Sequence, residues 1–169
     1  MTTKDDVRIR RGSVEDLPLT AELWDRANKH YGRTLPNEYR GHVIIESVAG
    51  RMTGDAGDLL IAEVAGKLVG MLLGSPVRED RGKGPLVDGI AIVSWVAVDP
   101  GHWGLGIATR LLEDLLDLLS AKQFRRVILW THQDNVRAQR MYERLGFTLT
   151  PEQMKDSTGA LIIQYGRDL

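Results

Sequence analysis

Residues 96–112 read Val-Ala-Val-Asp-Pro-Gly-His-Trp-Gly-Leu-Gly-Ile-Ala-Thr-Arg-Leu-Leu. The Val- and Ile-rich run 86–98 reads as a central strand, and Asp99-Pro100-Gly101 closes it. A glycine-rich segment follows and leads straight into a helical pattern, so backbone N–H groups lacking intrahelical partners converge at a helix N-terminus with its partial positive charge. Such a turn builds an anion site. Gly104 and Gly106 have no Cβ, so a phosphate can approach the backbone closely, although the same pair is compatible with a purely structural turn.

Two nucleotide-binding patterns fail on the residues themselves. A P-loop needs Gly-Lys-[Ser/Thr], whereas Gly106 is followed by Ile107-Ala108-Thr109. A dinucleotide fingerprint starting at Gly104 would put its third glycine on Thr109.

Downstream of the turn, the periodicity predicts a helix from Gly106 to Lys122, with Ile107, Ala108, Leu111, Leu112, Leu115 and Leu119 inward and Arg110, Glu113, Asp114 and Asp117 outward. Arg126 to Thr131 is a strand. With the 90–98 segment it makes a right-handed parallel crossover. A helix over 135–145 turns Ala138, Met141, Tyr142 and Leu145 inward, and Gly146 sits at its C-terminal cap. A strand pair, 147–150 and 160–165, closes the chain.

Upstream, Val7 to Arg11 alternates as a half-buried strand and Gly12 ends it. Ser13 is the expected N-cap of a helix carrying Val14, Leu17, Ala21, Trp24 and Ala27 on one face. A second helix is predicted from Pro36 to about Met52, with the proline in its first turn. Residues 58–65 and 67–77 form a hairpin about Gly66, and the polar segment Arg78 to Pro85 reads as a mobile loop. The order β-α-α-β-β-β-α-β-α-β-β predicts an α/β (α+β) fold, a mixed sheet with helices on its faces.

The chain has 169 residues, the size of a single domain, so residues 1–169 are expected to form one. Hydrophobic residues are 43% and charged residues 27%, an ordinary globular composition. The absence of cysteine excludes disulfides, thiolate metal sites and a cysteine nucleophile. A net charge of −1 supplies no field for nucleic acid. Residues 1–12 are charged and lack the apolar stretch of a signal peptide, and the longest near-apolar run, 89–98, is half of what a membrane helix needs, so a cytoplasmic protein without membrane contact is expected. His30, His42 and His102 form no ligand pair, so no metal is expected.

The glycine-rich segment resembles the acyl-CoA-binding motif of the GNAT superfamily of N-acetyltransferases, V-x-P followed by [QR]-x-x-G-x-[GA]. Val98, Pro100, Gly106 and Ala108 match, and Trp103 stands at the [QR] position. A second family element, N-x-x-A-x-x-[LMF]-Y-x-x-x-G-F, is present as Asn135, Ala138, Met141, Tyr142, Gly146 and Phe147. The resemblance implies a GNAT-like, mainly antiparallel sheet of about seven strands flanked by four helices, with a central splayed parallel strand pair.

It also implies acetyl-CoA as donor, its pyrophosphate on the N–H groups of Trp103, Gly104, Leu105, Gly106, Ile107, Ala108 and Thr109. The pantetheine would lie along Val96, Ala97 and Val98, and Asn135, Ala138 and Tyr142 would complete the cofactor site. The backbone of Val96 takes the oxyanion position and Tyr142 the general acid. Read from periodicity alone, Tyr142 is a core residue on an amphipathic stripe. The indole of Trp103 either stacks on the cofactor or covers the turn as an apolar lid.

A glutamate that many family members use as base falls on Ile92 here. Ser94, on the same face as Val96 by the period of two, would relay the proton through a water, and His132 is a second candidate near the cleft. Arg137, Arg140 and Arg144 form a basic helix face, with Arg137 in reach of a cofactor phosphate. The resemblance implies direct transfer to a small-molecule or peptide amine through a ternary complex. Its alternative is a catalytically silent acyl-CoA-binding or sensing domain. The acceptor pocket would come from the first two helices and the 78–85 and 150–160 loops; Glu79, Asp80 and Asp88 would favour a cationic acceptor, although they are equally consistent with a polar loop on a near-neutral protein. An exposed edge in the final strand pair is compatible with a homodimer.

Overall fold

The computed structural model describes residues 1–30, 32 and 40–169. Seven strands, β1 Val7–Arg11, β2 Asp58–Val64, β3 Lys67–Arg78, β4 Leu86–Val98, β5 Arg126–His132, β6 Thr148–Lys155 and β7 Leu161–Asp168, form one sheet in the order β1-β2-β3-β4-β5-β7-β6. β4 and β5 run parallel, and the other neighbouring pairs are antiparallel. Among the described residues four helices of more than two turns flank the sheet: α1 Leu17–His30, α2 Gly41–Gly54, α3 Ile107–Ala121 and α4 Val136–Arg144. Element order and sheet type are those the sequence predicts.

Each face of the sheet has its own core. On one, Leu111, Leu112, Leu115 and Leu119 of α3 pack with Leu72, Val93, Val127 and Leu129. Two glycines of β3 let α3 approach: a Cβ on Gly70 would lie 2.8 Å from Ile107 Cγ2, and one on Gly74 would lie 2.5 Å from Leu115 Cδ1. On the other face, Leu17, Leu23 and Ala27 of α1 and Ile44 and Val48 of α2 cover Leu59, Ile61, Met71 and Leu73.

Local details depart from the sequence expectations. Ser13 starts a 3-10 turn, Val14–Asp16, before α1, with its N–H donating to Asp16 Oδ2 at 2.8 Å. That extra turn rotates Val14 out to solvent and brings Leu23 and Thr20 inward. The second helix runs Gly41–Gly54, and the expected start at Pro36 lies outside the described residues. Residues 78–85 are not an open loop but a hydrogen-bonded turn. The Glu79 N–H donates to the Pro85 carbonyl at 2.9 Å, the Gly84 N–H to the Glu79 carbonyl at 2.9 Å, and Arg78 to Asp55 and to the Gly84 carbonyl. The last strand pair is longer than expected, so residues 150–155 of the expected acceptor loop belong to β6.

The departure that matters most is a bulge in β4. Leu73 pairs with Ser94 and Met71 with Ala97, so two steps along β3 oppose three along β4, and Trp95 adopts φ +59°. The alternation resets there. Val93, Val96 and Val98 join the α3 side, whereas Trp95 and Ala97 pack on the α1/α2 side and Ser94 meets Arg51 of α2. Ser94 and Val96 therefore do not share a face, contrary to the period-two expectation.

Candidate active site

β4 and β5 stay together only from Ile90↔Arg126 to Val93↔Leu129, although β4 continues to Val98 and β5 to His132. β5 remains paired with β7 as far as His132↔Ile162. The two parallel strands thus part at their C-terminal ends, the usual place for a ligand in a sheet with a parallel crossover. The opening is a cleft of about 1170 Å³, reached by residues from both faces of the sheet.

One wall is the turn before α3. Gly104 and Gly106 have φ of +84° and +72°, and Gly106 is the left-handed N-cap of the helix. The Gly106 carbonyl accepts from the Arg110 N–H at 3.0 Å, while among the described residues the N–H groups of Gly104 to Thr109 find no backbone acceptor and no side chain caps the helix. A run of unpartnered donors at a helix N-terminus is an anion cradle. Gly104, Gly106, Ile107, Ala108 and Thr109 line the cleft, whereas the Leu105 side chain packs into the core and leaves only its backbone to the turn. The Lys4 ammonium lies 3.9 Å from where a Cβ on Gly106 would stand. Arg110 holds that N-terminal segment by donating to the Lys4 and Val7 carbonyls, each at 3.0 Å.

Trp103 braces this wall. Its Nε1 donates to the Val98 carbonyl at 2.8 Å, His30 meets its ring edge-on at 4.8 Å, and the Arg137 guanidinium lies 5.0 Å from its ring centre. These contacts hold the ring at the edge of the turn, where it also lines the cleft. Asp99, at the foot of the turn, is tied to Arg26 at 2.7 Å and to His102 Nδ1 at 2.9 Å. Burial pushes the Asp99 carboxyl up, but those two hydrogen bonds outweigh it and leave it below the usual carboxylate range.

α4 supplies the opposite wall. Asn135 Oδ1 accepts from the Ala138 N–H at 3.3 Å and so caps the helix, placing Ala138, Met141 and Tyr142 along the cleft. The Tyr142 ring is buried between Phe147 and Tyr165, at 6.0 and 6.1 Å between ring centres. Val96, Ala97 and Val98 line the gap from β4. The structure therefore gathers the sequence-selected residues around one opening, apart from the Leu105 side chain.

Through the gap, on the α1/α2 side, lie residues that sequence reading missed or left unpaired. Arg51, near the end of α2, donates from Nη1 to Ser94 Oγ at 2.9 Å. His132 Nε2 lies 3.2 Å from Asp156 Oδ2. The Thr158 hydroxyl, then His132 and the N–H groups of Ala160 and Thr158, hold the Asp156 carboxyl down to about 2, so it is ionised. Glu79, Asp80 and Asp88 are not among the residues that line the cleft; Asp88 is exposed and paired with Arg125. The acidic rim expected from the sequence does not form. Among the described residues there is no cluster of three or more His, Asp or Glu placed to hold a metal ion, and no helix long and apolar enough to cross a membrane.

The sequence profile of the Acetyltransferase (GNAT) family matches residues 18–147. The chain belongs to the GNAT acetyltransferase family. It is 33% identical over 119 residues to the spore coat polysaccharide biosynthesis protein SpsD of Bacillus subtilis, covering 70% of this chain and 36% of that protein. To mycothiol acetyltransferase of Arthrobacter sp. it is 30% identical over 131 residues, covering 75% of this chain and 39% of the relative. The chain thus spans well under half the length of the curated relatives it matches.

Its fold is that of solved GNAT structures. The ribosomal-protein-S18-alanine N-acetyltransferase of Escherichia coli superposes with a TM-score of 0.74 at 20% identity, over 96% of this chain and 93% of that one. A Salmonella typhimurium protein solved with its cofactor acetyl-CoA superposes with a TM-score of 0.76 at 20% identity, over 96% and 94%. In this GNAT member the family's [QR] position holds Trp103, which exchanges a flexible donor for a ring fixed between the end of β4 and Arg137.

Proposed function

We propose that residues 1–169 form one domain that transfers an acetyl group from acetyl-CoA to a primary amine, by direct attack in a ternary complex, in the cytoplasm. The observation that carries this reading is the run of unpartnered N–H groups from Gly104 to Thr109, opening onto the gap between β4 and β5. Six donors in sequence, two of them on left-handed glycines, fit a pyrophosphate.

Acetyl-CoA supplies an acetyl group activated as a thioester. The first turn of α3 binds its diphosphate, with Lys4 and Arg137 as nearby cations. Val96, Ala97 and Val98, with Asn135 and Ala138 opposite, form the channel for the pantetheine. The Val96 N–H is the donor for the carbonyl oxygen as it gathers negative charge. Tyr142 gives a proton to the departing sulfur, a task suited to a phenol because a thiolate leaving group needs only a weak acid.

The amine must lose a proton as it attacks. Ser94 faces away from Val96 and its hydroxyl is engaged by Arg51, which removes the arrangement required for the water relay. His132 takes that role. It lines the cleft, and with its Nε2–H donated to the ionised Asp156 its Nδ1 keeps a lone pair. No cysteine is present to form an acyl-enzyme, which supports direct attack.

Calorimetric titration with acetyl-CoA, followed by initial-velocity patterns for the first amine that turns over, tests this reading. Binding with intersecting velocity lines is expected. Binding without turnover of any amine would instead assign a silent acyl-CoA-binding domain, and parallel lines would rule out the ternary complex.

A further inference from the structure

The α1/α2 side of the gap carries a charge imbalance. Arg51 is half-buried beside the apolar walls of Trp24, Trp95 and Ile92, and of its five N–H donors one bonds the Ser94 hydroxyl. No carboxylate among the described residues forms an ion pair with it. Asp55, one turn further along at the end of α2, is taken by Arg78, which donates to both of its oxygens from Nε and Nη2. Asp156, across the groove, is taken by His132 and Thr158. Burial lowers the Arg51 pKa, with only the charge of Asp55 opposing it.

A guanidinium drawn out of water with one neutral hydroxyl as partner is a cost to the free protein that an incoming anion would recover. Its planar fork suits the paired oxygens of a carboxylate or a phosphate. Outside the Asp55 and Asp156 pairs, the residues with permanent charge that line the cleft, Arg81, Arg137, Arg144 and Lys155, are also basic. Among the described residues the carboxylates lining the cleft, Asp55 and Asp156, are already engaged, so neither is prepared to hold a polycationic acceptor.

We infer that the acceptor is an amine that also carries an anionic oxygen group, a carboxylate or a phosphate, and that Arg51, seated against Ser94, binds that group on the α1/α2 side of the sheet while the amine points into the gap toward Val96 and His132. This rests on the acetyltransferase reading above and deepens it. It replaces the cationic acceptor suggested by Glu79, Asp80 and Asp88, none of which lines the cleft.

The test uses matched acceptors that differ only in the anion: amino acids against their carboxamides, and aminoalkyl phosphates against the corresponding amino alcohols. Release of CoA thiol is followed with the wild type, Arg51→Gln and Arg51→Lys. The charged member of a pair is expected to have a kcat/KM higher by about tenfold or more, mainly through KM, with the preference lost in Arg51→Gln and partly kept in Arg51→Lys. Whether the carboxylates or the phosphates gain more names the anion. In parallel, the charged compounds should raise the melting temperature of the CoA-bound wild type and not that of Arg51→Gln, a readout independent of turnover. Calorimetric binding of CoA to Arg51→Gln at wild-type strength certifies that this variant is folded, and Arg51→Lys serves if it is not. Equal kcat/KM and equal thermal shifts across each pair, or a preference that survives Arg51→Gln, would overturn the inference. Failure of the acetyltransferase reading is a different result: no thiol release with any amine, while the anion-dependent thermal shift persists.

Discussion

The Trp103 indole donates its Nε1–H to the carbonyl of Val98 at 2.8 Å, joining the entrance of the glycine-rich turn to the last residue of β4. Trp103→Phe keeps most of the ring surface against His30 and Arg137 but removes this bond. We expect a loss of about 1 kcal/mol in folding stability, the worth of one hydrogen bond, and weaker acetyl-CoA binding by calorimetry. Unchanged affinity would mean that the brace does not position the turn.

Gly106→Ala places a Cβ on a residue at φ +72° within the donor run. The left-handed conformation alone costs about 1–2 kcal/mol. Gly66→Ala is the control, because Gly66 has φ +75° in the β2–β3 hairpin with open space around it and does not line the cleft. Both variants should melt earlier than wild type, and only Gly106→Ala should lose acetyl-CoA affinity. An equal loss in both would detach the turn from cofactor binding.

Removing the phenol of Tyr142 tests the proton donor. Tyr142→Phe keeps the ring between Phe147 and Tyr165, so its melting should match wild type to within a few degrees. Its kcat should fall by about 10²–10⁴-fold, the range of general acid–base catalysis, with acetyl-CoA binding little changed. In His132→Gln the loss should shrink as pH rises toward the acceptor's own pKa, because the amine then arrives already deprotonated. Full kcat in Tyr142→Phe removes the tyrosine from its role.

Two arginine–aspartate pairs add to the acid sensitivity of the fold. Hydrogen bonds from Arg10 hold the Asp16 carboxyl below its ordinary range, and those from Arg78 do the same for Asp55. Both groups titrate lower in the folded chain than in the unfolded one. Their contribution is therefore full above about pH 4, the unfolded carboxylate range, and is lost as pH falls through their folded values. Melting curves against pH should show wild type losing stability below about pH 4, with Asp55→Asn less stable at neutral pH and the gap closing in acid. A gap constant with pH would contradict the assignment.

What could be read from the sequence was what is local in the chain. The cradle of Gly104 to Thr109 is a strand, a turn and a helix in succession, and Asn135, Ala138 and Tyr142 sit on one helical stripe, so spacing places each set on one local element, and the resemblance to the GNAT motifs joins the two sets into one cleft. The bulge at Trp95 was invisible because an extra residue in a ladder depends on the partner strand, and missing it misplaced Ser94 relative to Val96. Arg51 is 43 residues from Ser94 and His132 is 24 from Asp156, so neither pairing leaves a local signal. For the acidic residues at 79, 80 and 88 the sequence left a cationic acceptor and a solvated polar loop equally open, because composition shows charge but not whether the backbone carries it into the cleft.

The most direct test of the account is an amine screen that follows release of free CoA thiol and identifies the product by mass. Direct transfer requires thiol release strictly dependent on one amine class, one acetyl group added to that amine, and no acetyl adduct on the protein itself. Acetyl-CoA bound at the cleft with no thiol released above background for any amine, or an acetylated protein accumulating before product, would contradict it.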